Sequence, residues 1–271
     1  MELIDVKKVL TGKNPSLGKI VPGFIINYLR RVIHEDELNE FLKDYGDLRD
    51  EKFIEAGLKA LNTSYSVTGA DRLPQAGRFI FVSNHPLGGL DGLVFINELS
   101  KKYSSLRFPV NDILLNIKNL DGIFLPVNKH GAQARDAARL IEEAYSSDSQ
   151  ILYFPAGLCS RKRRGVISDL TWQKSFITKA VTHRRDIIPV YISGRNSNFF
   201  YNLANIRKLL GIKANIEMLY LPDEMFRQKD KRIEIVFGEP ISWQTFDKSK
   251  SPSEWAGHIR EKTYSLASLV K

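Results

Sequence analysis

One histidine and one aspartate stand on either side of a proline and two glycines in FVSNHPLGGLDG, residues 81–92. His85 follows a β-rich run, and Asp91 opens the next helical pattern. Gly88 and Gly89 let the chain turn tightly enough to bring the carboxylate back to the imidazole. An imidazole bound to a carboxylate through one ring nitrogen keeps its other nitrogen free to accept a proton. The pair could therefore act as a general base on a hydroxyl or an amine. The alternative is a hydrogen-bonded histidine beside an aspartate that caps a helix.

The elements around this pair follow a regular pattern. From residue 66 onward, short β-rich runs alternate with helical patterns, which predicts an α/β fold with a mostly parallel central sheet flanked by helices. A closing helix is predicted from Ser253, its N-cap, to Leu269. Reactive groups collect beyond the carboxyl ends of the strands in such sheets, and His85 falls at such an end. The predicted strands are residues 78–84, 106–111, 122–127, 150–156, 186–193, 214–221 and 232–241.

The first part of the chain has a different pattern. Residues 1–65 are predicted to form a helical N-terminal extension, and residues 66–271 the domain that carries the site. Arg30, Arg31 and His34 fall between the apolar residues of the extension. Two interpretations stay open: a helix that packs on the domain with a solvated face, or a contact with an anionic membrane surface. No run of about 18 apolar residues predicts a membrane-spanning helix, and the N-terminus lacks the apolar segment of a signal peptide.

The charge balance narrows the possible partners. Lys and Arg number 40 and Asp and Glu 31, which gives a net charge of +9. This surplus favours anionic partners such as nucleic acid, acidic lipid headgroups or a phosphorylated carrier. No RNA-stacking aromatic motif and no DNA-binding helix pair stands out, so nucleic acid is not expected. Cys159 is the only cysteine, which excludes an intrachain disulfide and predicts a cytoplasmic protein.

Four sequence blocks resemble those of the lysophospholipid (glycerolipid) acyltransferase family, and they occur in the family order. They are NHPLGGLD (84–91), GIFLPVN (122–128), YFPAGLCSR (153–161) and IIPVYISG (187–194). The resemblance implies that His85 and Asp91 form a catalytic dyad, that the second block helps to bind the acyl acceptor, and that the fourth lines the acyl site. The predicted substrate-binding residues are Asn84, Gly88, Gly89, Asn128, Lys129, Phe154, Pro155, Gly157, Ser160, Arg161 and Lys174.

The chain departs from the common family pattern in three places. Five residues separate His85 from Asp91, whereas the commoner form has four; this version resembles a bacterial, hemolysin-like branch that includes makers of ornithine and glycine lipids. Ala156 stands where the third block usually has Glu, and Asn128 and Lys129 stand near the usual Arg of the second block. Those two positions help to hold a glycerol-phosphate acceptor in the family. A lysophosphatidate and a lyso-amino-acid lipid therefore both stay open as acceptors.

The resemblance implies a peripheral membrane O-acyltransferase on the cytoplasmic side of the inner membrane. A thioester of coenzyme A or of an acyl-carrier protein would donate a fatty acyl group to the hydroxyl of a lysolipid. His85 would act as the general base, oriented by Asp91, and backbone N–H groups near Gly88, Gly89 or Gly157 could stabilise the oxyanion. No metal or other cofactor is expected. The alternatives are a binder of anionic ligands and a degenerate acyltransferase that only binds lipid.

A basic run, SRKRRG at residues 160–165, follows the third block. It is either a solvated loop or a phosphate contact, and Arg161 is the first choice for the contact because it matches the family's arginine after the turn. Arg163 and Arg164 could instead hold a lipid headgroup or an acidic carrier protein. Lys174 is expected to face the acceptor. Cys159 is expected to be an inert, small apolar residue rather than a nucleophile.

Overall fold

The structure is a computed structural model that describes residues 3–8, 21–111, 114–127 and 132–270. The strands within these ranges are β1 (Ser64–Thr68), β2 (Phe79–Ser83), β3 (Leu106–Val110), β4 (Phe124–Pro126), β5 (Gln150–Tyr153), β6 (Arg161–Arg163), β7 (Val166–Ser168), β8 (Asp186–Ile192) and β9 (Arg232–Phe237). The helices are α1 (Gly23–Ile33), α2 (Glu35–Tyr45), α3 (Asp50–Ala60), α4 (Leu90–Ser100), α5 (Ala132–Ser146), α6 (Ser175–His183), α7 (Asn198–Leu209), α8 (Leu221–Phe226) and α9 (Pro252–Ser265).

Seven strands form one sheet in the order β1-β9-β8-β2-β5-β3-β4. Every neighbouring pair is parallel except β8 and β9, which are antiparallel. The predicted α/β fold with a mostly parallel sheet is therefore confirmed, as are six of the seven predicted strands. The strands β6 and β7 form a separate antiparallel hairpin.

Alternate side chains of the central strand β2 enter two different apolar clusters. Phe79 and Phe81 pack on the face that α3 and α4 cover, whereas Ile80 and Val82 pack on the face that α5, α6 and α9 cover. Successive strand side chains point to opposite faces, so a central strand covered on both sides is apolar throughout. All of β2 is buried, which fixes the strand end from which His85 projects.

The strand predicted at residues 214–221 is wrong. The chain there forms a 3₁₀ turn, Ile216–Tyr220, followed directly by α8. Pro222 stands in the first turn of α8, where its missing N–H costs no helical hydrogen bond, whereas inside a sheet it would remove one. The buried residue of this 3₁₀ turn is an acid, Glu217, which points into the interior.

Within residues 21–65 the structure describes three separate helices, α1 to α3, followed by the first residues of β1. His34 has a φ of 57° and separates α1 from α2, so the apolar residues of the two helices do not share one face. α3 packs on α4 and contributes Phe53, Ile54 and Leu58 to the core. The division into residues 1–65 and 66–271 stays a prediction, and its boundary falls inside β1, which pairs in parallel with β9.

The N-cap of the closing helix lies two residues before the predicted one. Ser251, rather than Ser253, caps α9: its hydroxyl accepts a hydrogen bond from the Glu254 backbone, and the Glu254 carboxylate accepts one from the Ser251 backbone. Pro252 then occupies the first turn of the helix, where proline is favoured. Across the described ranges, the structure contains no helix with the length and apolar character needed to cross a bilayer.

Candidate active site

The contact expected between His85 and Asp91 is formed. His85 is the second residue after β2, and its Nδ1 lies 2.8 Å from Oδ2 of Asp91 in the first turn of α4. The Asp91 side chain is fully buried, whereas that of His85 is 14% exposed. Nε2 of His85 has no hydrogen-bond partner within the described residues. The ring therefore holds the carboxylate on one side and offers a nitrogen for proton transfer on the other.

Backbone donors hold the Asp91 carboxylate in place. Oδ2 accepts hydrogen bonds from the N–H groups of Leu87 at 2.8 Å and Gly88 at 3.3 Å, and Oδ1 accepts one from Gly92 at 2.9 Å. Burial alone would raise the pKa of Asp91, but the charge and hydrogen bond of His85, together with these backbone donors, hold the pKa below its usual value. Asp91 therefore stays ionised and can stabilise a protonated imidazole.

Phe154 packs against the catalytic histidine candidate. The two rings are stacked with their centroids 4.1 Å apart and their planes at 16°, and Phe95 and Phe108 support Phe154 from behind. An aromatic face against the imidazole fixes the plane of the ring that Asp91 already holds by one nitrogen. The structure thus places Phe154 as a support for His85; a contact with substrate stays a prediction.

Asn84 joins two strand ends and has no free amide to offer to a ligand. Its side-chain nitrogen donates to the carbonyl of Ile192, and its side-chain oxygen accepts from the N–H of Ile192, both at 2.8 Å. The residue is buried. The substrate-binding role predicted for Asn84 is not supported by this placement, because both polar atoms extend the pairing of β2 with β8.

Sequence reasoning missed Asp169, a buried carboxylate behind the site. Its Oδ1 accepts the backbone N–H of His85 at 3.2 Å and the hydroxyl of Ser160 at 2.6 Å, and its Oδ2 accepts Nε1 of Trp172 at 2.9 Å. The backbone N–H of Ser160 donates to the His85 carbonyl at 2.7 Å. Asp169 lies outside the four blocks, eight residues after the third, and the sequence DLTW around it resembles an ordinary helix start. No local signal would have separated it from a surface acid.

The turn of the third block is built from Pro155, Ala156 and Gly157. Gly157 is exposed with a φ of 68°, a left-handed conformation that favours glycine, and its N–H closes the turn on the Phe154 carbonyl at 3.0 Å. Pro155 is buried, and its carbonyl accepts the N–H of Gln173 at 2.9 Å. Ser160 is buried, and its hydroxyl donates to Asp169. The hydroxyl is therefore not available for the predicted contact with substrate.

Arg161 is not available as the predicted phosphate ligand. Its guanidinium is buried, with one amino group 2.7 Å from the Cys159 carbonyl and the other 3.0 Å from Glu217. Arg207 binds the same Glu217 carboxylate at 2.8 Å. A buried carboxylate between two guanidiniums replaces the anionic ligand that the sequence predicted. The Arg161 prediction therefore fails because a carboxylate 56 residues away occupies the guanidinium.

The other polar residues predicted to bind substrate or headgroup lie at the surface or outside the described residues. The basic run forms the β6–β7 hairpin, with Arg164 and Gly165 at its turn in the left-handed region, and Arg163 and Arg164 are exposed. Lys174 is exposed at the start of α6, and its contact with the acceptor stays a prediction. Asn128 and Lys129 lie outside the described residues.

Cys159 is buried beside Arg161, and burial raises the pKa of its thiol to about 11. A thiol of this kind is protonated at neutral pH and is a poor nucleophile. Within the ranges that the structure describes, no group of three or more His, Cys, Asp or Glu side chains is arranged to hold a metal ion.

The structure thus combines a mostly parallel α/β sheet with a carboxylate–imidazole pair beyond the carboxyl end of its central strand, and comparison with known proteins shows the class of enzyme to which the chain belongs. The acyltransferase family model matches residues 8–270, so the chain belongs to this acyltransferase family. The lyso-glycine lipid O-acyltransferase of Bacteroides thetaiotaomicron is 47% identical over 265 residues, which are 97% of this chain and 97% of that protein. The protein of the same name from Phocaeicola vulgatus is 46% identical over 265 residues, 97% of this chain and 95% of that protein.

A solved structure shares the fold. The 1-acyl-sn-glycerophosphate acyltransferase PlsC from Thermotoga maritima aligns with 97% of this chain and 95% of its own, with a TM-score of 0.51 and 17% sequence identity. At this identity the likeness shows the fold alone. It agrees with the central sheet and helical layers described above.

Proposed function

We propose that this acyltransferase moves a fatty acyl group from an acyl thioester to the hydroxyl of a lyso-amino-acid lipid, namely a lyso-glycine lipid. The observation that carries the proposal is the 2.8 Å contact between His85 and the fully buried Asp91. The relatives that are 47% and 46% identical over nearly the whole chain bear the name of this reaction.

The proposed mechanism is direct transfer. Nε2 of His85 takes the proton from the acceptor hydroxyl, and the oxygen attacks the thioester carbonyl carbon. Asp91 stabilises the imidazolium that forms. The tetrahedral intermediate then collapses, the carbon–sulfur bond breaks, and the protonated His85 gives its proton to the departing thiolate, which leaves as the thiol. General base catalysis of this kind typically contributes about 10²–10⁴-fold to the rate.

Gly89 is the strongest of the three glycine candidates for stabilising the oxyanion. The N–H of Gly88 donates to Asp91, and that of Gly157 donates to the Phe154 carbonyl. The N–H of Gly89 has no acceptor within the described part of the chain, and a side chain added there would meet no atom within 4 Å. A backbone donor beside open space, four residues from the base, fits the need of a developing oxyanion.

The placement of Arg161 supports the proposed acceptor. Glu217 binds the Arg161 guanidinium that the family resemblance assigned to a phosphate. Ala156 replaces the usual Glu of the third block, and the second block lacks its usual Arg. These differences support an acceptor that carries the single carboxylate of an amino-acid lipid. Lys174 is the exposed cation that we propose for that carboxylate.

We propose that the donor is acyl-carrier protein or coenzyme A thioester and that no cofactor takes part. The lysolipid acceptor resides in a bilayer, so we place the protein at the cytoplasmic face of the inner membrane. α1 supports this location, because Phe24 and Tyr28 are exposed on it beside Arg31. An apolar stripe next to cations is typical of a helix that lies on an anionic membrane surface.

The test is an acyl-transfer assay with purified protein, an acyl thioester and lyso-glycine lipid dispersed in detergent micelles. We expect transfer by the wild type and by His258→Gln, a matched control on α9, and none measurable by His85→Ala. Equal rates for His85→Ala and wild type would show that the base is wrong. A higher rate on lysophosphatidate than on lyso-glycine lipid would show that the acceptor is wrong.

A further inference from the structure

Helix α7 has two apolar sides, and only one of them is covered. Phe200, Tyr201 and Ala204 face the interior. On the other side Phe199, Ile206 and Leu210 recur at helical spacing and are all exposed. Isolated exposed apolar residues are ordinary, whereas a row of them along one helix marks a contact surface.

The row ends in a turn, residues Lys208–Lys213, that carries the most exposed leucine of the described chain. Leu209 is 86% exposed and Leu210 is 67% exposed, and Ile212 follows them at 40%. Lys208 and Lys213 stand at the two ends of the turn, and neither forms an ion pair with another described residue. Three apolar side chains therefore project to solvent between two lysines that form no ion pair within the described ranges.

This turn is ordered rather than loose. Gly211, with a φ of 69°, donates to the Lys208 carbonyl at 3.1 Å, and Ile212 donates to the Arg207 carbonyl at 3.0 Å. These two bonds close the helix as a Schellman motif. The Arg207 guanidinium also donates to the Ile212 carbonyl at 2.8 Å and binds the buried Glu217. The apolar side chains are thus held outward by the backbone and by a buried ion pair.

The surface of α7 continues onto α1. The Phe199 ring packs on Tyr220 with centroids 5.0 Å apart, and the Tyr220 hydroxyl lies 2.8 Å from that of Tyr28 on α1. Leu221, the next residue along, packs on Gly88 of the candidate active-site turn. The exposed row on α7, the outer side of α1 and the active-site turn are therefore joined through Tyr220 and Leu221.

We propose that the Lys208–Lys213 turn inserts into the interfacial region of an anionic bilayer and forms a second membrane contact beside α1. The arrangement matches a bilayer because the leucines can enter the acyl boundary while both lysines stay among anionic headgroups. The turn would hold the active-site side of the molecule against the surface that supplies the lysolipid. This inference rests on the membrane location in the proposed function, and its test does not depend on catalysis.

The test is co-sedimentation of the full-length protein with vesicles of phosphatidylcholine, with or without phosphatidylglycerol. We expect Leu209→Ser/Leu210→Ser to weaken binding to the anionic vesicles about tenfold or more, because two leucines lose their apolar burial. We expect Lys208→Gln/Lys213→Gln to weaken binding to the anionic vesicles roughly fivefold for each lysine, with little change on the neutral ones. Leu140→Ser on α5, which packs on β4 and α6, is the matched control and should bind as wild type.

Acyl transfer to micelle-dispersed lyso-glycine lipid separates the two proposals. If the double variants lose vesicle binding but keep acyl transfer, the membrane contact is supported. If they lose vesicle binding and the wild type itself shows no transfer, the membrane contact is still supported and the proposed function fails. Vesicle binding by both double variants at the wild-type level overturns the membrane contact. A change of the leucine variant from dimer to monomer, with unchanged vesicle binding, also overturns it and assigns the surface to a second copy of the chain.

Discussion

The carboxylate of Asp169 accepts the backbone N–H of His85 from 84 residues further along the chain. The same oxygen accepts the hydroxyl of Ser160, and the other oxygen accepts the indole of Trp172. One buried acid therefore connects the backbone of His85 to Ser160 of the third block and to Trp172, three residues before α6. The imidazole of His85 is then held from three directions: by Asp91 through its ring, by Phe154 against its face, and by Asp169 through its backbone.

Asp169→Asn should lower the transfer rate by about tenfold while the KM for the acceptor changes little. An amide keeps one acceptor oxygen but loses the charge that serves three donors, and charge-assisted hydrogen bonds contribute about 1.5–3 kcal/mol each. The measurement is kcat and KM for the variant. Trp172→Phe removes a single donor and should leave kcat near wild type; an equal loss of kcat in both variants would contradict a role in positioning His85.

Asp91→Asn should lower kcat by about 10³–10⁴-fold, because an amide neither orients the ring in the right tautomer nor stabilises the imidazolium. A pH series gives a second readout. Folding lowers the pKa of Asp91 below the unfolded value of about 3.9, so the carboxylate stabilises the fold above that pH. The stabilisation is lost as the pH falls through the lower folded pKa.

Urea unfolding between about pH 6 and pH 2 measures this contribution, because that range includes the unfolded pKa and extends below it. The free energy of unfolding of the wild type should fall more steeply with acid than that of Asp91→Asn, and the two curves should approach each other at the acidic end. Parallel curves would mean that the folded protein does not lower the pKa of Asp91.

Gly88→Ala and Gly89→Ala should behave differently although the residues are adjacent. Gly88 has a φ of 79°, and an added Cβ would lie 2.6 Å from Leu221 and 3.3 Å from Cys159. The left-handed conformation alone costs a residue with a Cβ about 1–2 kcal/mol. Gly89 has a φ of −162°, and an added Cβ would meet nothing within 4 Å.

We therefore expect Gly88→Ala to lower the thermal midpoint by several degrees and Gly89→Ala to leave it unchanged. If Gly89 faces the tetrahedral intermediate as proposed, Gly89→Ala should lower kcat without loss of stability. Differential scanning calorimetry and the transfer assay, run on the same two preparations, check both statements. A stable Gly89→Ala protein with full activity would remove Gly89 from the oxyanion site.

Glu217→Ala should destabilise the fold by about 3–5 kcal/mol, because it leaves the buried Arg161 without its counter-ion. The measurement is the urea unfolding midpoint. Arg163→Ala, an exposed cation two residues away on the β6–β7 hairpin, is the matched control and should change the midpoint by less than about 0.5 kcal/mol. A Glu217→Ala protein as stable as the control would mean that the ion pair is not formed.

Much of the fold could be predicted from local pattern. The strands around the site were predicted because buried parallel strands are short, apolar and bounded by helical periodicity. The strand predicted at residues 214–221 is wrong because this segment forms a 3₁₀ turn whose buried residue, Glu217, binds two guanidiniums rather than joining a sheet. β1 was missed because its five residues include two serines and a threonine and are only partly buried. Residues Ser64–Thr68 form a strand because they pair in parallel with β9, which no local pattern indicates.

The sequence alone determined the pairing of His85 with Asp91. The two residues are six apart, and a strand end, two glycines and a helix start leave the short segment few other ways to close. Only the tertiary structure decided which of the predicted substrate-binding residues have polar groups available for a substrate. Asn84 is bound to Ile192 across 108 residues, and Arg161 to Glu217 across 56. Contacts at such separations depend on how whole elements pack, and no local spacing encodes which buried acid will reach which guanidinium.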